Sequence, residues 1–349
     1  MDIFRAMEHY GYGDLYLRRD ESVGLRAIIA IHDTTLGPAL GGCRMIAYPT
    51  ELAAIEDALR LARGMTFKAA LAGLPHGGGK SVILRPQRIP DRKALFQAFG
   101  RFVEDVGRYI TAEDSGTGVE DMEAVRTVTK HVTGVSPENG GSGDPSPFTA
   151  LGVRRGIEAC AKVRLDRSDI EGLHVLVQGV GHVGYHLCRE LKSVGARLTV
   201  ADVDEKKAAR ASEEFGAAVA QTEEIFGLEA DVLAPCALGS GLNDVTVPWL
   251  RTPIVAGAAN NQLAEPRHGD LLHERGIVYA PDYAINAGGL INVAHEARGY
   301  DVSAATAQVL TIYDTIVEIL ARGTRTNTPT HRVADAMVQE RLANARRGS

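Results

Sequence analysis

A strand, a glycine motif and a helix follow one another near the middle of this chain, and this succession constrains the fold more than any other feature. The apolar run 174–178 is followed directly by Gly179-Val180-Gly181-His182-Val183-Gly184, and a segment with helical character covers 185–194. In this setting the first glycine permits a tight turn, the second lets a pyrophosphate approach the backbone, and the third lets the helix pack closely on the strand. The free N–H groups at the start of the helix favour an anionic ligand. The pattern predicts a Rossmann-type dinucleotide-binding unit.

The acidic residue that such a unit requires is also present. A short apolar run over 198–201 ends at Asp202, close to the ~20-residue spacing at which a carboxylate binds the ribose hydroxyls. This carboxylate accepts both hydroxyls of NAD and repels the 2′-phosphate of NADP. Lys206 and Lys207 follow and weaken the preference, so NAD is favoured and NADP stays open. The competing interpretation is a glycine turn in a similar domain that binds no ligand, or another nucleotide.

The surrounding pattern predicts an α/β protein. Apolar runs at 174–178, 197–201, 231–234, 253–256 and 276–280 alternate with helical stretches, which indicates βαβ units and a parallel sheet. The part before them mixes a strand at 25–31 with helices at 51–63, 91–106 and 120–132, and with glycine-rich turns at 37–42, 73–79 and 114–118. The segment 137–147, rich in Gly, Pro and Ser, predicts a linker or hinge. Helices are expected at 303–322 and 332–346.

Composition excludes several classes of protein. The 349 residues suit about two domains, and 45% hydrophobic with 23% charged residues exclude global disorder. The net charge of −6 argues against a nucleic-acid partner. Four widely separated cysteines predict no disulfide framework and no structural zinc site, and no metal is expected. Without a signal peptide or a run of ~18 apolar residues, we expect a cytoplasmic protein with no membrane partner.

A second concentration of glycine surrounds Lys80, in Gly77-Gly78-Gly79-Lys80-Ser81. A phosphate-binding loop of the Walker type needs glycine at position 74, where Leu stands, so the nucleotide hydrolase interpretation fails on spacing. A lysine that is desolvated near another cation has a lowered pKa and can act as a base, and Lys68 is the candidate cation. The competing interpretation is a solvated surface lysine.

Several segments together resemble the amino acid dehydrogenases of the glutamate, leucine, phenylalanine and valine family. The segments are 32–42, 63–68, 77–80, 109–114, 179–184, 234–239, 258–263 and 286–289. They span nearly the whole chain in a specific order, and the length and first segment are most similar to family members that act on leucine. The resemblance implies reversible oxidative deamination of an L-amino acid to the 2-oxo acid and ammonia, with hydride passing to NAD.

The resemblance also implies roles for individual residues. The catalytic pair is Lys80, as the base that activates water, and Asp114, as the proton relay to the substrate nitrogen. Lys68 binds the substrate carboxylate. The other substrate-binding residues implied are Leu40, Gly41, Met65, Ala112, Asn261, Leu290 and Val293. The cofactor-binding residues implied are Arg44, Thr149, Gly179, Val180, Gly181, His182, Val183, Gly184, Asp202, Val203, Ala237, Leu238, Ala259 and Asn260.

The side-chain pocket implied by the resemblance gives mixed signals about the substrate. Leu40, Ala112, Leu290 and Val293 are all apolar, so glutamate fits poorly, because burying its carboxylate unpaired costs several kcal/mol. Ala112 narrows the pocket towards aliphatic side chains, whereas Leu290 is typical of members that act on phenylalanine. We expect L-leucine to be the best substrate, followed by L-valine and L-isoleucine. The alternatives are L-phenylalanine or L-tryptophan, and an inactive NAD-binding sensor.

The architecture implied by the resemblance has two domains with a cleft between them. Residues 1–136 form an α/β domain for substrate binding and oligomerisation, and 137–325 form the Rossmann NAD-binding domain. Residues 326–349 form a C-terminal helix that packs back on the first domain. Members of the family are homo-oligomers, often octamers, so a homo-octamer is the expected assembly.

Overall fold

The computed structural model describes residues 3–11, 14–237 and 239–348, which divide into two units. The first unit contains the described residues up to Asp144, together with Leu290–Ala305 and the chain from Val338 onwards. The second contains Pro145–Gly289 and Thr306–Met337. The expected boundaries at 136/137 and 325/326 therefore differ from the divisions observed. Glu296 bonds to residues on both sides of the expected boundary at 136/137, because its carboxylate accepts the N–H groups of Gly134 and Ser142 at 2.9 Å. The residues after 136 therefore stay with the first unit up to Asp144.

The first unit is built on a five-stranded mixed sheet in the order β1-β2-β4-β3-β5. The strands are β1 (Asp14–Asp20), β2 (Leu25–Asp33), β3 (Ala39–Ile46), β4 (Gly77–Leu84) and β5 (Tyr109–Glu113). β2 runs antiparallel to β1 and β4, while β3 runs parallel to both β4 and β5. The helices before residue 144 are α1 (Ile3–Tyr10), α2 (Glu51–Leu71), α3 (Arg92–Val106) and α4 (Val119–Arg126), and a 3-10 turn covers Pro137–Asn139.

Two helices differ in length from the prediction. The side chain of Thr50 caps α2 by accepting the N–H of Ala53 at 3.1 Å, but the helix runs on to Leu71 instead of ending at residue 63. The helix predicted over 120–132 ends at Arg126. Beyond it, the backbone pairs with β5, because Thr111 donates its N–H to His131 and accepts that of Thr133. This long-range pairing replaces the last turns of the predicted helix.

Two of the predicted glycine turns are partly strand. Gly41 and Gly42 lie within β3, and Gly77–Gly79 open β4. A Cβ atom at Gly41 would overlap the carbonyl oxygen of Gly79, and one at Gly78 would overlap the backbone of Thr66 on α2. Glycine is needed here for close backbone approach between the strands and to the helix that covers them, rather than for turn formation.

The second unit is built on a six-stranded parallel sheet in the order β11-β10-β9-β6-β7-β8. The strands are β6 (His174–Gln178), β7 (Arg197–Ala201), β8 (Ala218–Val219), β9 (Val232–Pro235), β10 (Ile254–Val255) and β11 (Val278–Tyr279). Its helices include α5 (Ser146–Leu165), α6 (His182–Ser193), α7 (Glu205–Phe215), α8 (Thr246–Trp249), α9 (Pro266–Glu274) and α10 (Asp282–Ile285). The strand order reverses between β6 and β9, and such a switch point is where doubly wound sheets bind dinucleotides. This confirms the predicted α/β class.

The tail is helical, as predicted, but it contains one stretch that the membrane expectation did not anticipate. The remaining helices are α11 (Gly288–Ala294), α12 (Val302–Leu310), α13 (Ile312–Thr326) and α14 (Thr330–Gly348). The stretch Val302–Thr326 is long and apolar enough to cross a membrane, with a mean hydropathy of 1.3. Core helices pass the same test, and α13 buries Ile312, Ile316, Ile319 and Leu320. This stretch is therefore weak evidence for a membrane span.

Candidate active site

Lys80 lies at the centre of the first sheet. β4 places it between β2 and β3, and it is only 4% exposed. Its Nζ forms an ion pair with Oδ2 of Asp114, which directly follows β5. The two residues that sequence analysis paired as base and proton relay are thus in contact. The prediction of a solvated surface lysine, the competing interpretation, is wrong for Lys80.

Arg44 on β3 connects this ion pair to a second carboxylate. Its Nε donates to Oδ1 of Asp114 at 3.3 Å, and its Nη1 donates to Oδ2 of Asp57 at 2.9 Å. Tyr48 donates its hydroxyl to the same oxygen of Asp57 at 2.7 Å. Asp57 and Tyr48 were missed by sequence reasoning, because nothing in the spacing of a carboxylate on α2 shows that it faces Arg44.

The surroundings of Lys80 favour its neutral form. Burial removes water from the ammonium group, and the guanidinium of Arg44 repels it, so the pKa of Lys80 falls from 10.5 to about 7. Lys68, on α2, adds a smaller effect in the same direction. The structure therefore places Lys68 near enough to act as the second cation that sequence analysis expected. A lysine with this pKa can exchange a proton near neutral pH.

Small residues leave room for this cluster. A Cβ atom at Gly42 would lie 2.9 Å from the Cβ of Asp114 and 2.6 Å from the carbonyl oxygen of Glu113. A Cβ at Gly41 would approach Cγ of Met65 at 3.4 Å, so these two predicted substrate residues are close neighbours. Tyr109, which is fully buried, donates its hydroxyl to the carbonyl of Gly41 and thereby fixes the backbone of β3.

The four predicted pocket residues belong to the same unit as the lysines. Leu40 on β3 and Ala112 on β5 are buried, and so are Leu290 and Val293 on α11. Asn261 lies in the second unit, where its φ of 52° places it in the left-handed region and its carbonyl accepts the N–H of Ser240 at 2.6 Å.

The glycine motif has the geometry of a dinucleotide loop. Gly179 adopts φ 94°, and its N–H donates to Ala201 at 2.7 Å. A Cβ at Gly184 would overlap the carbonyl oxygen of Gly179, whereas one at Gly181 would meet open space. Gly181 also caps α6 without a side-chain hydrogen bond. A side chain at position 181 would fill the open space beside the loop, and glycine leaves that space free. The free N–H groups at the start of α6 favour an anion, so the loop fits a pyrophosphate. Val180, His182 and Val183 complete the motif.

Asp202 is placed beside this loop. Its Oδ2 accepts the N–H of Val180 at 2.8 Å, and its Oδ1 accepts that of Asp204 at 2.8 Å. The next residue, Val203, is 91% exposed, which is unusual for an apolar side chain. An exposed apolar surface next to the carboxylate of Asp202 suits the face of an adenine.

Among the remaining predicted cofactor residues, Thr149, Ala237, Ala259 and Asn260 also belong to the second unit. Ala237 is adjacent to the loop, since a Cβ at Gly179 would lie 2.6 Å from its nitrogen. Thr149 on α5 lies near Gly289, where an added Cβ would be 2.6 Å from the Thr149 hydroxyl oxygen. Ala259 is buried, and Asn260 accepts the side-chain amide of Asn286 at 2.8 Å. Leu238 lies outside the described residues. Arg44 belongs to the first unit.

Residues 3–11, 14–237 and 239–348 contain no group of three or more His, Cys, Asp or Glu side chains that could hold a metal ion. All four cysteines are free thiols.

Comparison with known proteins identifies the family. The model described as "Glu/Leu/Phe/Val dehydrogenase, dimerisation domain" matches residues 15–131, and the model "Glutamate/Leucine/Phenylalanine/Valine dehydrogenase" matches 198–321. Leucine dehydrogenase of Geobacillus stearothermophilus is 54% identical over 348 residues, which cover 99% of this chain and 95% of the relative. The chain belongs to the glutamate/leucine/phenylalanine/valine dehydrogenase family. The family predicted from the sequence is thereby confirmed.

Solved structures of family members have the same fold. L-tryptophan dehydrogenase from Nostoc punctiforme matches with a TM-score of 0.86 and 42% identity over 99% of both chains. Hetero-hexameric glutamate dehydrogenase from Thermus thermophilus matches with a TM-score of 0.78 and 25% identity over 98% of this chain and 94% of that one. The protein is therefore an amino acid dehydrogenase, an oxidoreductase that acts on CH–NH2 groups and depends on a dinucleotide.

Proposed function

We propose that this dehydrogenase converts L-leucine, NAD and water to the 2-oxo acid, ammonia and NADH, and that L-valine and L-isoleucine are also substrates. The observation that carries the proposal is the buried ion pair of Lys80 and Asp114, in the same unit as Lys68. This arrangement provides a base, a proton relay and a cation for a carboxylate. The leucine dehydrogenase that is 54% identical supports the choice of substrate. In the direction written here, the reaction breaks down branched-chain amino acids.

Three residues of the first unit have separate roles in the proposed reaction. Lys68 binds the substrate carboxylate, which positions the amino acid for oxidation. NAD, when bound, supplies the hydride acceptor. Neutral Lys80 takes a proton from the water that attacks the iminium carbon, and Asp114 moves protons to and from the substrate nitrogen. Because Lys80 and Asp114 are in contact, a proton can pass between them without bulk water. The role of Asn261 in holding the substrate stays a prediction.

The size and polarity of the pocket residues support an aliphatic substrate. Leu40, Ala112, Leu290 and Val293 are buried and carry no charge, so a glutamate side chain would lose its hydration without gaining a partner. The alternative substrates are L-phenylalanine and L-tryptophan, and the similarity to the Nostoc punctiforme L-tryptophan dehydrogenase gives the latter a specific basis. One methylene in such a pocket discriminates by about 1–3 kcal/mol, so kinetics must decide.

An inactive NAD-binding sensor is the less favoured alternative. Lys80 is 4% exposed and paired with Asp114, and burying such an ion pair costs desolvation free energy that apolar residues in the same place would avoid. A sensor that had lost the reaction would have no need for a lysine with a pKa of about 7 at the centre of its sheet. Formation of NADH from an L-amino acid, followed by absorbance, distinguishes the enzyme from the sensor, because the sensor binds NAD without turnover.

NAD rather than NADP is the proposed cofactor. Asp202 repels a 2′-phosphate, and its two oxygens already orient the loop at Val180 and the segment at Asp204. We expect Asp202→Ala to reduce the ratio of kcat/KM with NAD to kcat/KM with NADP. Gly181→Ala should keep the fold, because its Cβ meets open space, and should weaken NADH binding at least ~10-fold by filling the pyrophosphate position. Equal kcat/KM with both cofactors in the unmodified enzyme would refute the assignment.

The proposed assembly is a cytoplasmic homo-octamer. Phe4 is 75% exposed and Leu17 is 61% exposed in the first unit, and the first matching family model is a dimerisation domain. The related glutamate dehydrogenase is hetero-hexameric, so the family forms assemblies. Light scattering coupled to gel filtration should give about eight times the 37.3 kDa chain mass. The negative net charge gives no basis for a nucleic-acid partner.

A further inference from the structure

Asp57 on α2 is held in one place by three side chains. Its Oδ2 accepts Arg44 Nη1 at 2.9 Å and the hydroxyl of Tyr48 at 2.7 Å, and its Oδ1 accepts Arg60 Nη2 at 2.9 Å. The side chain is only 15% exposed. A carboxylate with donors on both oxygens is fixed in orientation. Asp57 is therefore a rigid anchor for the guanidinium of Arg44.

The guanidinium of Arg44 lies between the carboxylates of Asp57 and Asp114 and donates to both. A guanidinium prefers to bind a carboxylate through two parallel N–H groups. Here it contacts Asp114 through Nε, at 3.3 Å from Oδ1, while its Nη1 donates to Oδ2 of Asp57 at 2.9 Å, so the two carboxylates together set the orientation of the guanidinium. The other oxygen of Asp114, Oδ2, contacts Lys80.

We propose that Asp57 is a positioning residue for the deamination reaction, which restrains Arg44 to one oxygen of Asp114 and so keeps the other oxygen on Lys80. The inference rests on the proposed function, because it assigns the proton transfers to Lys80 and Asp114. Without Asp57, Arg44 swings to bind both oxygens of Asp114 and displaces Lys80 from the carboxylate. Asp57 touches neither reacting atoms nor substrate in this account.

The charges around Lys80 give the inference a pH signature. The groups that act on Lys80 are Arg44 and Cys43 from β3, Asp57 and Lys68 from α2, and Asp114 after β5. Asp57 is one of the anions that favour the ammonium form, so neutralising it lowers the pKa of Lys80 further. Lys80 then becomes neutral, and competent as a base, at a lower pH.

The test is the pH profile of kcat/KM for L-leucine in Asp57→Asn, with Glu56→Gln as the matched control. The control removes the same formal charge from the neighbouring position of α2. In Asp57→Asn we expect kcat to fall about 10-fold, because small displacements of reacting groups are costly. The acid limb should move to lower pH by ~0.5 unit. The substrate ammonium titrates in the same limb but identically in every variant, so the difference between variants reports Lys80.

Tyr48→Phe provides a second variant that keeps the charge of Asp57 and removes one of its restraints. We expect a smaller fall in kcat and an unmoved acid limb, with thermal unfolding close to that of the unmodified enzyme. A normal kcat and an unmoved acid limb in folded Asp57→Asn would overturn the inference while leaving the proposed function intact. The proposed function fails separately, if the unmodified enzyme does not oxidise L-leucine or if Asp114→Asn retains full activity.

Discussion

Asp114 holds Lys80 through Oδ2 and Arg44 through Oδ1, so one carboxylate contacts two cations that come from two different strands. The contact with Lys80 is a direct path for proton exchange, while the contact with Arg44 fixes the orientation of the carboxylate. Removing one partner of a buried ion pair strongly destabilises the folded protein, because the other charge stays buried without compensation. Substitutions of Lys80 and of Asp114 should therefore have different effects, which can be measured separately.

Removing the lysine should abolish turnover. We expect Lys80→Ala to reduce kcat at least ~10³-fold, because no other neutral base is in contact with Asp114 in the described structure. NADH affinity, measured by fluorescence titration, should stay within ~2-fold, since the glycine loop belongs to the second unit. Lys93→Ala, which changes an exposed lysine on α3, is the control and should behave normally. A near-normal kcat in Lys80→Ala would show that the base is misassigned.

Removing the charge of Asp114 should slow the reaction and change its pH dependence. An amide cannot relay a proton, so Asp114→Asn should lose ~10²–10⁴-fold in kcat. The ammonium form of Lys80 also loses its ion-pair partner, so the pKa of Lys80 falls further and the acid limb of the residual activity moves to lower pH. An acid limb that moves to higher pH would contradict this electrostatic account.

Lys68 should act on binding rather than on chemistry. We expect Lys68→Ala to raise the KM for L-leucine ~10–100-fold, which is the effect of losing a charged hydrogen bond to a carboxylate. Its kcat at saturating substrate should fall much less. Steady-state kinetics separate the two parameters, and Lys68→Arg should restore part of the affinity. A large loss of kcat with an unchanged KM would place Lys68 in the chemical step instead.

Two glycines of the first unit should respond oppositely to alanine. At Gly41 the new Cβ overlaps the carbonyl oxygen of Gly79, a backbone atom that cannot move away. Gly41→Ala should therefore destabilise the protein by about 2 kcal/mol or more. Gly64 lies inside α2 with open space around its Cβ position, so Gly64→Ala should stabilise it by ~0.5–1 kcal/mol. Denaturant unfolding of both variants tests this, and equal stabilities would contradict the packing described for β3 and β4.

The dinucleotide unit was predictable because its signals are local. The strand, the glycine motif, the helix and Asp202 follow in order, and each has a physical reason that can be read from neighbouring residues. The glycines of β3 and β4 misled the prediction, because glycine usually marks turns and the contact between Gly41 and Gly79 is long-range. The end of α4 was missed for a similar reason, since the pairing of residues 131 and 133 with Thr111 depends on the folded sheet.

The active site was predictable only in part. Lys80 stands out in the sequence because three glycines precede it, and Lys68 is the candidate cation near it. The resemblance to the family adds Asp114 and the roles of all three residues. Asp57 has no such signal, because a single acidic residue on an amphipathic helix normally faces solvent. Only the fold brings it to Arg44. Residues that act through another side chain in this way are recognised from contacts rather than from spacing.

The central claim is tested most directly by kcat/KM with NAD for a panel of L-amino acids, measured from the absorbance of NADH. We predict the highest value for L-leucine, values within ~10-fold of it for L-valine and L-isoleucine, and values at least ~10-fold lower for L-phenylalanine and L-tryptophan. L-glutamate should give no measurable turnover, because its carboxylate has no partner among the buried pocket residues. If L-phenylalanine or L-tryptophan exceeds all three aliphatic amino acids, the proposed substrate is wrong although the family assignment stands.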